Sequence, residues 1–195
     1  METLVKQPAT DQTTIRPLEK RLALQLAPDR LNAFFPLLQR GVTVPAIMGC
    51  SLRSLLCDQF AIPSDYVTDR ITTIFINNRP LDDLDTTIIE DGLRVTLSAA
   101  MPGLVGATMR RGGFYAALRQ GISHVGSNRQ TADEMGVVRL KLFNLLLPEL
   151  GPLILARGLL LEQDELDELL MRLPELSLHN PNGTGRTHLS ATFGE

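Results

Sequence analysis

Residues 98–113 read SAAMPGLVGATMRRGG, and whether they end a folded domain or join two halves decides the architecture. They carry Gly103, Gly106, Gly112 and Gly113 beside the adjacent Arg110 and Arg111, with no helix or strand period running through them. Just upstream, the Asp91-Gly92 turn leads into LRVTLS, where Val95 and Leu97 alternate with Thr96 and Ser98 as in a half-buried strand. Downstream, FYAALRQGI, MGVVRLKLFNLLLPEL, PLILARGLLL and EQDELDELLMRL all read as helices. The stretch is therefore expected to connect a strand-containing half to a helical half.

Moving back from it, the dense β-branched and aromatic residues from Ile71 to Ile76 mark a strand closed by Asn77-Asn78 and Pro80. GCSLRSLLCDQFAIP (49–63) is a helix with Ser51 as its cap. Its Leu52, Leu55, Leu56 and Phe60 fall on one face. RLALQL alternates like a strand from Leu22 to Leu26, and VTVP gives a second short one. Between them, Asp29 is placed to cap DRLNAFFPLL, with Gly41 ending it. Asp164 is the corresponding cap expected for the last helix.

Composition excludes some classes. Hydrophobic residues make up 44% of the 195 and charged residues 21%, which supplies a core for one medium domain with an extension. A net charge of −3 gives no global reason to expect nucleic acid as the partner. Cys50 and Cys57 read as free thiols, and METLVKQPATDQTTIRPLEK is no export signal, so a cytoplasmic setting is expected. No transmembrane segment is expected, because LFNLLLPELGPLILARGLLL is interrupted by Glu149, Arg157 and two prolines. That leucine-rich run exceeds one helix face, so it must bury against its own sheet, a second copy or a partner.

The order strand, strand, helix, strand, acidic link, strand resembles the ubiquitin-like β-grasp fold over residues 20–103. GCSLRSLLCDQFAIP, IFINNRPLDD and EDGLRVTLSAAMPGL are similar to segments of its sulfur-carrier branch, the small subunit of molybdopterin synthase and the thiamine-biosynthesis sulfur carrier. The regulatory TGS domain shares much of this pattern. The expected architecture is α+β: a flexible arm at 1–19, a β-grasp domain at 20–103 and a connector at 104–113. A helical extension at 114–176 and a disordered tail at 177–195 complete it.

The resemblance implies a C-terminal Gly-Gly that a partner enzyme adenylates and that becomes a thiocarboxylate. Gly103 falls at the first glycine of that pair, yet Leu104 follows it and the chain runs on to Glu195. A carboxylate held in a peptide bond cannot be activated. The leading expectation is accordingly a non-catalytic adaptor, without cofactor, that binds a protein partner or a second copy through its helical extension. One alternative is a sulfur-carrier or modifier precursor, cut at Gly103 or Gly113 and then met by an adenylating enzyme; MRRGG at 109–113 resembles the Arg-Gly-Gly end of ubiquitin. Another is a phosphate- or nucleotide-binding loop using Thr108, Arg110 and Arg111, although the lysine of a P-loop is lacking. The two cysteines and the scattered histidines suggest no metal site.

Overall fold

The computed structural model describes residues 20–124, 134–176 and 185–194. The alternating leucines form β1 (Lys20–Leu26), which leads into a 3-10 run at Pro28–Phe34 and then α1 (Phe35–Arg40). Both helical segments carry a proline in their first turn, Pro28 and Pro36, whose fixed φ suits that position. Ala27 is the residue at the cap, not Asp29. Gly41, at φ +114°, closes α1 and releases the chain into β2 (Val42–Ile47).

The 49–63 segment behaves as its sequence predicts. The Ser51 hydroxyl accepts the Ser54 N–H at 3.2 Å, and α2 (Leu52–Ser54) widens into a π turn at Leu55–Gln59. Leu52, Leu55, Leu56 and Phe60 are all buried. After α3 (Ser64–Asp69) come β3 (Thr73–Ile76), β4 (Arg79–Pro80) and β5 (Leu93–Ser98). Asn77 and Asn78, at φ +48° and +66°, make the β3–β4 turn in a conformation that asparagine tolerates.

The second half departs from expectation. The 104–113 segment is not a bare connector, since α4 (Gly103–Met109) occupies most of it, and a 3-10 run follows at Phe114–Ile122. MGVVRLKLF is β6 (Met135–Phe143), a strand rather than a helix, and α5 (Leu146–Arg157) starts only after it. β7 (Leu159–Leu161) precedes α6 (Gln163–Arg172), where Glu162 rather than Asp164 is the cap and donates its N–H to Glu165 Oε2 at 3.1 Å. The tail, expected to be disordered, contains β8 (Thr187–Phe193); the expected arm at 1–19 lies outside the described residues.

All eight strands join one mixed sheet in the order β1-β8-β7-β2-β6-β5-β3-β4. Consecutive strands β1 and β2 are not neighbours. β6 takes the place beside β2, antiparallel to it, and pairs in parallel with β5 on its other side. β1 pairs in parallel with β8 at the far edge, where Phe193 meets Phe34 edge-on at 5.9 Å between centroids. The architecture is thus a mixed α/β fold with strands from both halves, and residues 20–103 do not form a continuous sheet by themselves.

One face of the sheet is the core. Val44, Ile74, Val95, Leu97, Val138 and Leu140 are fully buried there, with α1 and α5 against β6. The leucine-rich run of 140–161 is absorbed here, through Leu140 and Leu142 on β6, Leu150 and Ile154 on α5, and Leu159 and Leu161 on β7. The alternate residues Arg94, Thr96, Phe75, Arg139, Lys141 and Phe143 lie on the opposite face, half-buried or exposed. α6 reaches that face through the Arg139–Glu165 ion pair at 2.7 Å.

Two predictions follow from this packing. A fragment of residues 20–103 loses β6, which exposes the edges of β2 and β5 and removes Val138, Leu140 and Leu142 from the core; it should show no cooperative transition in a urea titration that the full chain passes cooperatively. Glu149 on α5 accepts hydrogen bonds from Arg70 and Tyr66, which hold its carboxyl down at about 2 against an ordinary 4.5. A depressed carboxylate contributes stability above its unfolded value and loses it as pH falls toward the folded one. The stability gap between the native chain and Glu149→Gln should therefore be full at neutral pH and close between pH 4.5 and about 2 in acid-dependent urea unfolding.

Candidate functional site

The glycine- and arginine-rich stretch becomes a strap, residues 103–124, pinned across the end of the sheet. The Arg111 N–H donates to Thr72 O at 2.8 Å, and its guanidinium donates to the α3 carbonyls of Val67 (2.8 Å) and Thr68 (3.0 Å). Burial, with the nearby Arg53 charge adding to it, lowers the Arg111 pKa below its ordinary value. Arg119 is only 3% exposed. It spans the strap from inside, donating to Thr108 O at 2.7 Å, Ser123 Oγ at 2.9 Å and Asp82 Oδ1 at 2.6 Å. The same Asp82 oxygen accepts the Gly112 N–H at 3.1 Å, and the His124 N–H donates to Pro80 O at 2.8 Å.

Pinned in this way, the strap turns its apolar residues outward. Phe114 is 92% exposed, Leu118 76% and Leu104 72%, with Val105, Tyr115 and Ile122 beside them in sequence and also exposed. Phe114 and Tyr115 contact each other edge-on, with centroids 5.2 Å apart.

The residues singled out by sequence take different positions on the strap. Gly103 is the first residue of α4, exposed and at φ +73°. Gly112 (φ +61°) and Gly113 lie beyond the other end of α4, Gly112 held by Asp82. The Thr108 hydroxyl donates to Val105 O at 2.8 Å, and the Arg111 donors point inward, so neither faces the same space as Arg110. Arg110 alone is exposed, with no ion pair among the described residues.

Two cavities lie where the strap leaves the sheet. The first, of about 290 Å³, sits on the open face between Phe75, Thr96 and Phe143, with Met101 and Pro102 as its far wall. Its polar neighbours are engaged with one another: Asn144 Nδ2 donates to Ser98 Oγ at 3.1 Å and also to Ala100 O, while Ser98 Oγ donates to Ala100 O at 3.2 Å. The accessible lining is apolar as a result. The second cavity, of about 250 Å³, is bounded by Thr72, Ala100, Met101, Gly103, Gly106 and Arg110. Met101 belongs to both. A side chain at Gly106 would bring its Cβ to 1.8 Å from Met101 O, so only glycine lets α4 lie this close.

Elsewhere the polar groups have local work. Asp85 accepts Arg53 through both oxygens, at 2.6 and 3.0 Å, Asp83 caps the backbone of Asp85 at 2.8 Å, and Asp91 holds the Val137 N–H at 2.8 Å. Cys50 and Cys57 are free, half-buried thiols, and Cys50 Sγ accepts from Gln59 at 3.1 Å. His179 lies outside the described residues. Among the described residues no group of three or more histidine, cysteine or carboxylate side chains could hold a metal, and no helix is long and apolar enough to cross a membrane. Phe143, Asn144 and Arg119 were missed by sequence reasoning. The period-two alternation of Val138, Leu140 and Leu142 against Arg139 and Lys141 carried the signal for the first two, while nothing local marks Arg119 as buried.

Arg119→Met should free the strap while leaving the sheet folded. The amide protons of Gly112 and His124 should exchange at least tenfold faster, and those of β5 and β6 at unchanged rates, in hydrogen–deuterium exchange by NMR.

Nothing matches this chain among protein-family models, curated proteins or solved structures, so its geometry alone carries the functional reading.

Proposed function

We propose that the chain is a non-catalytic binding protein that docks a protein partner on the outer face of the strap. The observation that supports this is the exposure of Leu104, Phe114 and Leu118 on a segment whose backbone is held in place by Arg111 and Arg119. Apolar side chains displayed together on a fixed backbone suit association, because little ordering entropy remains to be lost on binding. A lipid surface suits the strap less. Segments that lie on anionic bilayers place cations along their polar boundary, whereas Arg111 and Arg119 donate inward and only Arg110 remains outside. The matching partner surface is apolar.

The β-grasp resemblance is kept in rearranged form within this proposal. β2, the helix with its π turn, β3 and β5 follow one another along the chain in the order of that resemblance, and β6 lies between β2 and β5 in the sheet. In this reading the strap is an insertion between two neighbouring strands of a binding domain. It needs no free glycine carboxylate.

A photo-crosslinking residue at Leu118 of the full-length chain, expressed in its own cells, should trap one partner in a defined ratio. With that partner purified, Leu104→Asp/Leu118→Asp should weaken binding at least tenfold at unchanged melting temperature. Met171→Asp, at an exposed position on α6, should leave binding as it was. Absence of a saturable complex, or equal binding by the strap double variant, would overturn the proposal.

A further inference from the structure

We infer that the two cavities sharing Met101 form one binding site for a small amphiphile, a compact apolar group ending in a carboxylate. Together they fall within the about 300–1,000 Å³ typical of small-ligand sites, and each supplies a different half of the chemistry. The cavity on the open face has an aromatic side chain on either side, Phe75 and Phe143. The Asn144 amide and the Ser98 hydroxyl beside it are already engaged, with each other and with Ala100 O, so the walls it offers an apolar group are themselves apolar. The second cavity is lined mostly by small residues and by Arg110, whose guanidinium is a planar donor suited to gripping a carboxylate with two hydrogen bonds.

The wall between the halves is a methionine, the unbranched side chain that most readily changes rotamer to fit what lies against it. Movement of the Met101 side chain makes the two spaces continuous. Gly106 fixes the floor by holding the Met101 backbone against α4. A further polar group stands nearby: the Thr73 hydroxyl is buried, has no hydrogen-bond partner among the described residues, and lies opposite Ser98 on the face of the first cavity. The site is distinct from the strap's outer face, so it stands or falls independently of partner docking there.

The required chemistry, an apolar group with a terminal carboxylate, is met by a free medium-chain acid or by the C-terminal residue of a peptide. The full-length chain, labelled at its methionine methyls, tests both, with the Met101 signal assigned by its loss in Met101→Leu. Octanoate should shift that signal saturably, and octanol and acetate should bind at least fivefold more weakly. Arg110→Gln, at an exposed position, should weaken octanoate at least fivefold and leave octanol unchanged. Thr96→Tyr, which fills the apolar half, should abolish binding of both. A peptide ending in leucine with a free carboxylate, active where octanoate is not and inactive when amidated, would assign the same chemistry to a protein terminus. The inference is overturned if neither probe gives a saturable Met101 shift, if octanol equals octanoate, or if Arg110→Gln binds octanoate like the native chain.

Discussion

The ladder between β5 and β6, Leu93–Ser98 against Val138–Phe143, determines where the rest of the chain can lie. Two parallel strands in one sheet cannot be joined by a tight turn, because the chain must travel back to the starting end before it can pair again. The segment from Ala99 to Glu134 makes that return, and its length gives room for the strap. The same ladder brings Ser98 beside Phe143 and Thr96 beside Lys141, so the apolar cavity exists only once β6 is in place. The site is a consequence of a pairing between residues some forty positions apart, not of any local motif.

The strap is held by hydrogen bonds rather than by an apolar face of its own. Arg119 reaches back through the fold to Asp82, and Arg111 satisfies carbonyls at the end of α3 that helix geometry leaves without partners. A guanidinium is suited to this, since its several donors can serve acceptors on different elements at once. The cost of burying Arg119 is offset by three separate acceptors within 2.9 Å, and Asp82, being partly exposed, is less heavily desolvated. Because the inward contacts are polar, the strap's leucines and phenylalanine are not used for its attachment.

Sequence legibility followed the range of the interactions. The Ser51 cap, the Asn77-Asn78 turn and the strands at 73–76 and 93–98 depend on near neighbours, and they could be read directly. β6 was misread because its alternating Val138, Leu140 and Leu142 run into Leu145 to Leu147 with Asn144 alone, at φ +57°, marking the turn, so a strand and a helix merge into one apolar stretch. β8 was hidden for the opposite reason. THLSATF is polar enough to pass for a tail, and it is the pairing with β1 and β7 and the contact of Phe193 with Phe34 that make it a strand. At the site, the glycines and arginines of 103–113 were visible, but which arginine faces out depends on Thr72, Val67 and Asp82, far away in sequence.

Separating what the fold requires from what it merely permits sharpens the functional argument. Gly106 is required, since any side chain there collides with Met101 O, and Arg119 is required to hold the strap, since its donors reach Asp82, Ser123 and the backbone at 108–110. Phe114 and Leu118 are different. Their side chains are largely in water, so replacing them with polar residues removes little buried apolar area, and the area removed is what sets the stability lost. The cavities are likewise not demanded by the sheet: a larger residue than Ala100 or Thr96 would fill space that now stands open. An intramolecular account explains why the strap is fixed, and it leaves unexplained what the strap displays outward and shelters beneath. On the proposed reading, those two surfaces are where association, rather than folding, gives the residues their physical role.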